Sequence, residues 1–109
     1  MSYRVIITPR FRRQAKKLLK KYNSLTTELQ TFEQSLINDP VQGQSVGQNA
    51  YKVRVAVKSK GKGKSGGLRV ITYLITTEEE IYLLTIYDKS EMESVDNKTL
   101  KEIIKEINE

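Results

Sequence analysis

Apolar and polar positions follow two different rhythms along the chain, and each change of rhythm marks an element. Tyr3 to Thr8, YRVIIT, is short, β-branched and closed by Pro9, which predicts a strand. Phe11, Ala15, Leu18, Leu19 and Tyr22 then recur at helical spacing, with Arg12, Arg13, Lys16, Lys17 and Lys20 on the opposite face. Asn23 and Ser24 interrupt that stripe and are placed to cap a second helix. There Leu25, Leu29, Phe32 and Leu36 repeat the stripe until Asp39 and Pro40 stop it. A connection this short folds the two helices back as a hairpin.

Residues 41–49, VQGQSVGQN, are polar and glycine-bearing and predict a loop. Tyr51, Val53, Val55 and Val57 then alternate with Lys52, Arg54, Ala56 and Lys58, a strand with one apolar and one basic face. Leu68 to Ile75 predicts the next strand. Ile81 to Tyr87, IYLLTIY, is apolar on both faces and predicts a strand central in the sheet. The connections are too short for crossovers, so these strands form an antiparallel meander. Ser94 and Asp96 offer helix caps, and Val95 can staple against Leu100 in a final helix carrying Ile103, Ile104 and Ile107. The expectation is one α+β domain over residues 1–109, in the order βααβββα. Its meander sheet packs with an N-terminal helix hairpin and a C-terminal helix.

Composition narrows the chemistry. The chain has no cysteine and no histidine, which removes disulfides, thiolate metal sites, the commonest zinc ligand and the commonest general base. No apolar run approaches 18 residues and no apolar leader opens the chain, so a cytoplasmic protein without membrane contact is expected. Net charge is +6, but residues 1–75 carry 15 Lys and Arg against three acids, whereas residues 76–109 carry four against ten. A basic field of this size attracts nucleic acid or ribosome by releasing counterions. The plainer alternative is a solvated basic surface.

The charge is densest in VAVKSKGKGKSGGLRV, residues 55–70. Its Gly63-Lys64-Ser65 spells the end of a phosphate-binding P-loop. That motif needs a glycine where Lys58 stands and a helix where a strand pattern follows. A linker fails too, since one domain surrounds it, which leaves a β-hairpin loop. Lys52, Arg54 and Lys58 share a strand face, Lys60 prolongs it, and Lys62 and Lys64 follow in the loop, a candidate phosphate track. Arg69 lies across the hairpin, where its planar fork could grip a phosphate at two points, and Tyr73 on the same strand joins the candidate RNA contacts. The competing reading is an edge strand protected by charge. At the other end, TIYDKSEME gathers Tyr87, Asp88, Lys89, Glu91 and Glu93. As a metal site it is a weak pattern, and no cofactor is expected. Tyr87, Lys89 and Glu91, at period two, can supply acid–base groups in a chain without histidine, although an ordinary surface turn has the same composition. RNA cleavage without a metal needs little more: an aligned backbone, a cation at the phosphorane and two proton transfers.

The run YKVRVAVKSKGKGKSGGLRVITYL, then IYLLTIYDKSEM and a last helix, resembles the RelE/ParE superfamily of bacterial toxins, most closely its RelE-like HigB branch. The resemblance is strongest over residues 50–93. It implies the toxin of a type II toxin–antitoxin system, a ribosome-dependent mRNA endonuclease. Its partners would be the ribosome, mRNA and a DNA-binding antitoxin, HigA-like or RelB-like. Carried over by position, Lys52 and Arg54 orient the RNA backbone and Arg69 meets transition-state charge, while Lys89 moves a proton with Glu91 or Tyr87. The family's basic pair after the central strand reads Lys89-Ser90 here, and its tyrosine near the last helix is Asp96. Two rivals follow from the same reading, a ParE-like gyrase poison and a non-catalytic RNA- or ribosome-binding module.

Overall fold

The structure, a computed structural model, describes residues 3–60, 67–91 and 94–108. In chain order it contains β1 (Arg4–Ile7), α1 (Pro9–Lys21), α2 (Leu25–Asn38), β2 (Gln44–Gly47), β3 (Ala50–Val55), a 3-10 turn (Lys58–Lys60), β4 (Leu68–Ile75), β5 (Glu80–Asp88) and α3 (Asn97–Asn108). The strands form one sheet in the order β1-β5-β4-β3-β2. The α+β class, the helix hairpin, the β3-β4-β5 meander and the final helix are as the sequence predicts. β5 lies inside the sheet between β1 and β4, and the middle strand is β4.

Two features depart from expectation. Part of the stretch read as a loop is β2, antiparallel to β3 through Gln44↔Lys52, Ser45↔Tyr51 and Gly47↔Ala50. Its two-residue turn, Gln48 and Asn49, holds φ at 56° and 61°, the left-handed pair that a tight hairpin needs. β1 also runs parallel to β5, which makes the sheet mixed.

Each face of the sheet carries its own core. On one, Phe11, Ala15 and Tyr22 with Leu25, Leu29, Phe32 and Leu36 of α2 pack on Val53, Val55, Val70, Leu83 and Ile86. On the other, Leu100, Ile103 and Ile104 of α3 pack on Ala50, Ile71, Leu84 and Tyr87. Burial on both sides explains why β5 reads as an apolar run.

The ends are tied by short polar contacts. Thr8 caps α1 by accepting the Phe11 N–H at 3.2 Å while its hydroxyl donates to the Leu83 carbonyl at 2.7 Å. Beyond the last β1 pair, Gln14 of α1 takes over β5, its Oε1 accepting from Thr85 Oγ1 and the Ile86 N–H. Asp96 caps α3 by accepting the Thr99 N–H at 2.7 Å, and Val95 packs into the α3-side core. Ser24 does not cap α2 through its side chain. Its backbone is right-handed helical (φ −80°, ψ −11°) instead of extended, and its hydroxyl is engaged elsewhere.

Candidate active site

Cross-strand register assembles the site. Arg54 of β3 stands opposite Arg69 of β4, and Arg69 stands opposite Tyr87 of β5, a row across three strands. Lys52 lies two pairs further along, opposite Ile71. Arg54 and Lys52 keep the phase of Ala50, and Arg69 that of Ile71, both in the α3-side core, so the cations share that face.

Tyr87 reaches this face through a bulge. Ile71 pairs with Thr85 but Thr72 pairs with Leu83, leaving Leu84 as an extra residue in β5. Leu83 and Ile86, three apart, both enter the helix-hairpin core, and Leu84 and Tyr87, also three apart, both enter the α3-side core. Uninterrupted alternation would have put Leu83 and Tyr87 on one face. The bulge turns Tyr87 towards the arginines.

The row breaks ordinary sheet rules. Like charges directly opposite one another destabilise a strand pair, and Arg69 is only 2% exposed, with its Nη1 donating to the Leu68 carbonyl at 3.3 Å. Arg54 is exposed. Tyr87 is 6% exposed, and its hydroxyl is buried with no hydrogen-bond partner among the described residues. Burial pushes the Tyr87 phenol above its ordinary value, opposed by the positive charge of Arg69. It is therefore held protonated near neutral pH and can offer a proton or a hydrogen bond. Local departures of this kind concentrate at functional sites.

The remaining predicted residues are placed unevenly. β5 ends at Asp88, so the period-two spacing does not continue to Lys89 and Glu91. Residues 88–91 form a turn closed by the Glu91 N–H donating to the Asp88 carbonyl at 3.0 Å. Lys89 is exposed beside the row, and Glu91 points back to α1, where Lys21 Nζ lies 3.9 Å from its carboxylate. Lys58 and Lys60 lie in the 3-10 turn, off the strand face. Tyr73 shares the α3 side but sits four residues along β4 from Arg69, roughly 13 Å away at strand spacing, with its ring 6.2 Å from that of Tyr82. Lys62 and Lys64 lie outside the described residues.

The base of the lysine-glycine stretch is anchored to the start of α2. Glu28 Oε2 accepts the Lys58 N–H at 2.7 Å, Ser24 Oγ accepts the Ser59 N–H at 3.0 Å, and the Ser24 hydroxyl donates to Glu28 Oε1 at 2.9 Å. On the far side, a Cβ on Gly67 would meet the Val55 carbonyl oxygen at 2.1 Å, so only glycine lets the chain enter β4 this close to β3. Between α2 and the edge of β3 runs a groove of about 730 Å³ whose lining includes Glu28, Phe32, Lys52, Arg54 and Lys58. β2 covers β3 only as far as Lys52, and beyond it Val53 to Val55 have no strand partner on that side among the described residues. The charge-protected edge thus describes part of β3. Sequence reasoning missed Tyr22 and the Ser24–Glu28 anchor, whose partners lie 30 or more residues away with no local signal.

Among the described residues no three acidic side chains converge as metal ligands, and no helix is long and apolar enough to cross a membrane. Fold and row together define a small basic α+β domain with a cationic, tyrosine-bearing sheet face. A family model described as the RelE toxin of the RelE/RelB toxin–antitoxin system matches residues 3–108, and the chain belongs to that family. It is similar to a double arginine-to-alanine mutant of the E. coli toxin RelE in the free state, with a TM-score of 0.62 at 15% identity over 98% of this chain and 99% of that one. The isolated E. coli RelE toxin in a P21 crystal form gives 0.56 at 14% identity, over 96% and 98%. The protein is the toxin component of a type II toxin–antitoxin system, and this membership implies an antitoxin partner.

Proposed function

We propose that this toxin is a ribosome-dependent mRNA endonuclease that acts by in-line attack of a ribose 2′-oxygen on the adjacent phosphate. The observation that carries this reading is the register-matched row Arg54–Arg69–Tyr87 with Lys52 beside it. Attack forms the O2′–P bond and breaks the P–O5′ bond, leaving a 2′,3′-cyclic phosphate and a 5′-hydroxyl. Half-buried Lys52 and exposed Arg54 hold the backbone, and Arg69 supplies a fixed positive charge beneath the phosphorane. The 2′-hydroxyl proton goes to Lys89 in its amine form, or to the Glu91 carboxylate, as the O2′–P bond forms. Tyr87, kept protonated by burial, fits the acid half and delivers its proton to the leaving 5′-oxygen. The RNA track continues over Lys58 and Lys60 and through Lys62 and Lys64, with Tyr73 at its far end. Such a toxin works in the cytoplasm, where ribosomes are, and is neutralised by a DNA-binding antitoxin of the HigA or RelB kind. No cofactor takes part in this scheme.

The test is to add the protein to programmed ribosomes and map mRNA ends by primer extension, with a gyrase supercoiling assay alongside. Cuts that need the ribosome are expected. Intact mRNA with lost supercoiling would favour a gyrase poison, and intact mRNA with stable ribosome binding would favour a non-catalytic module.

A further inference from the structure

The turn that carries Lys89 hangs from a buried point which the proposed chemistry does not itself use. Asp88, the last residue of β5, is 1% exposed. Its Oδ2 accepts the Tyr22 hydroxyl at 2.7 Å, and its Oδ1 accepts the Ser90 N–H at 3.0 Å and the Ser90 hydroxyl at 2.8 Å. Tyr22 is equally fixed. It is 7% exposed in the helix-hairpin core, and as the C-cap of α1 its N–H donates to the Leu18 carbonyl at 2.8 Å. On the turn's other side Lys21 Nζ lies 3.9 Å from the exposed Glu91 carboxylate, a weak surface contact. Lys89 thus follows directly on a residue fastened to α1, and the next residue, Ser90, bonds back to that same carboxylate, while the Lys89 side chain is exposed and makes no ion pair among the described residues.

A buried carboxylate is costly to place and stabilises a fold little for that cost. Here it joins the end of α1 to the turn that follows Tyr87 in sequence. A catalytic group on a short turn gains rate when that turn is held in one geometry, because displacement by about 1 Å can cost roughly a hundredfold.

We infer that Tyr22 and Asp88 are positioning residues for Lys89: the hydroxyl–carboxylate bond from the end of α1 fixes the 88–91 turn so that the Lys89 amino group faces the Arg54–Arg69–Tyr87 row. This rests on the proposed cleavage reaction and on the role given there to Lys89.

A double-mutant cycle on programmed ribosomes tests it. Tyr22→Phe removes one oxygen from a buried ring. It is expected to lower kcat between about tenfold and a hundredfold with an unchanged KM for the programmed ribosome, and to cause no further loss in a Lys89→Ala background. Ser90→Ala, at the exposed end of the same network, should give the same pattern more weakly, so the test survives a poorly folding Tyr22→Phe protein. An unchanged kcat, or an equal loss with and without Lys89, overturns the positioning role while leaving that of Lys89 intact. If Lys89→Ala itself cleaves at the wild-type rate, the proton-transfer assignment fails and the inference fails with it.

Discussion

Replacing Tyr87 by phenylalanine should make the protein more stable and less active, two effects that ordinary active-site truncation does not combine. The hydroxyl is buried without a hydrogen-bond partner among the described residues, while the ring packs in the α3-side core. An unsatisfied buried hydroxyl costs about 1–3 kcal/mol, whereas a hydrogen-bonded one contributes about 0.5–1.5 kcal/mol, so the sign of the change reports which it is. Tyr87→Phe keeps the ring and discards the penalty, and a gain of about 1 kcal/mol corresponds to roughly 4–8 °C in a domain near this size. Loss of a general acid should lower cleavage by roughly 10²–10⁴-fold. Thermal melts followed by circular dichroism and single-turnover cleavage on programmed ribosomes measure the two halves. A lower melting temperature together with undiminished cleavage would refute both the orphaned-hydroxyl argument and the assignment of Tyr87 as acid.

Three further expectations follow from the same geometry. Arg54→Ala, at an exposed position, should leave stability within about 0.5 kcal/mol, weaken ribosome-bound cleavage, and flatten its salt dependence by about one phosphate contact; an unchanged salt slope would remove Arg54 from the RNA track. Arg69→Lys keeps the buried charge but loses the planar fork, so growth inhibition and cleavage should fall by less than the roughly 10²–10³-fold that follows complete removal of a preorganised charge donor, and full activity would show that the fork is not used. Asp96 is held below the usual carboxylate range by the Thr99 N–H and side chain. Its contribution to stability is present above the unfolded carboxylate pKa and lost as pH falls through the lower folded value. Asp96→Ala should therefore lower the melting temperature at pH 7 and converge on wild type in strong acid, and an equal deficit at both pH values would contradict the cap.

The elements with strong periodicity were legible in the sequence. Phe11 to Tyr22 and Leu25 to Leu36 mark their helices at period 3.6, and Val53 and Val55 against Lys52 and Arg54 mark β3 at period two, because each buries one face against a single layer. β2 was not legible, since it has only Val46 as an apolar residue and its turn uses Gln48-Asn49 in place of a glycine signal. The parallel pairing of β1 with β5 joins residues 76 positions apart, which local pattern does not encode. In the site, the cations of β3 and Arg69 could be placed on one face from alternation alone. The phase of Tyr87 could not, because the bulge at Leu84 resets it, and the turn beyond Asp88 could not, because its geometry comes from Tyr22 and Ser90.

If the Arg54–Arg69–Tyr87 face cleaves RNA by 2′-oxygen attack, removing that one oxygen from the substrate must abolish the cut. Programmed ribosomes carry an mRNA with a single 2′-deoxy sugar at the mapped cleavage nucleotide, and the products are resolved beside those of the unmodified message. The unmodified mRNA should yield 2′,3′-cyclic phosphate and 5′-hydroxyl ends, with no cut at the deoxy position. Cleavage that persists at the deoxy nucleotide would contradict that mechanism.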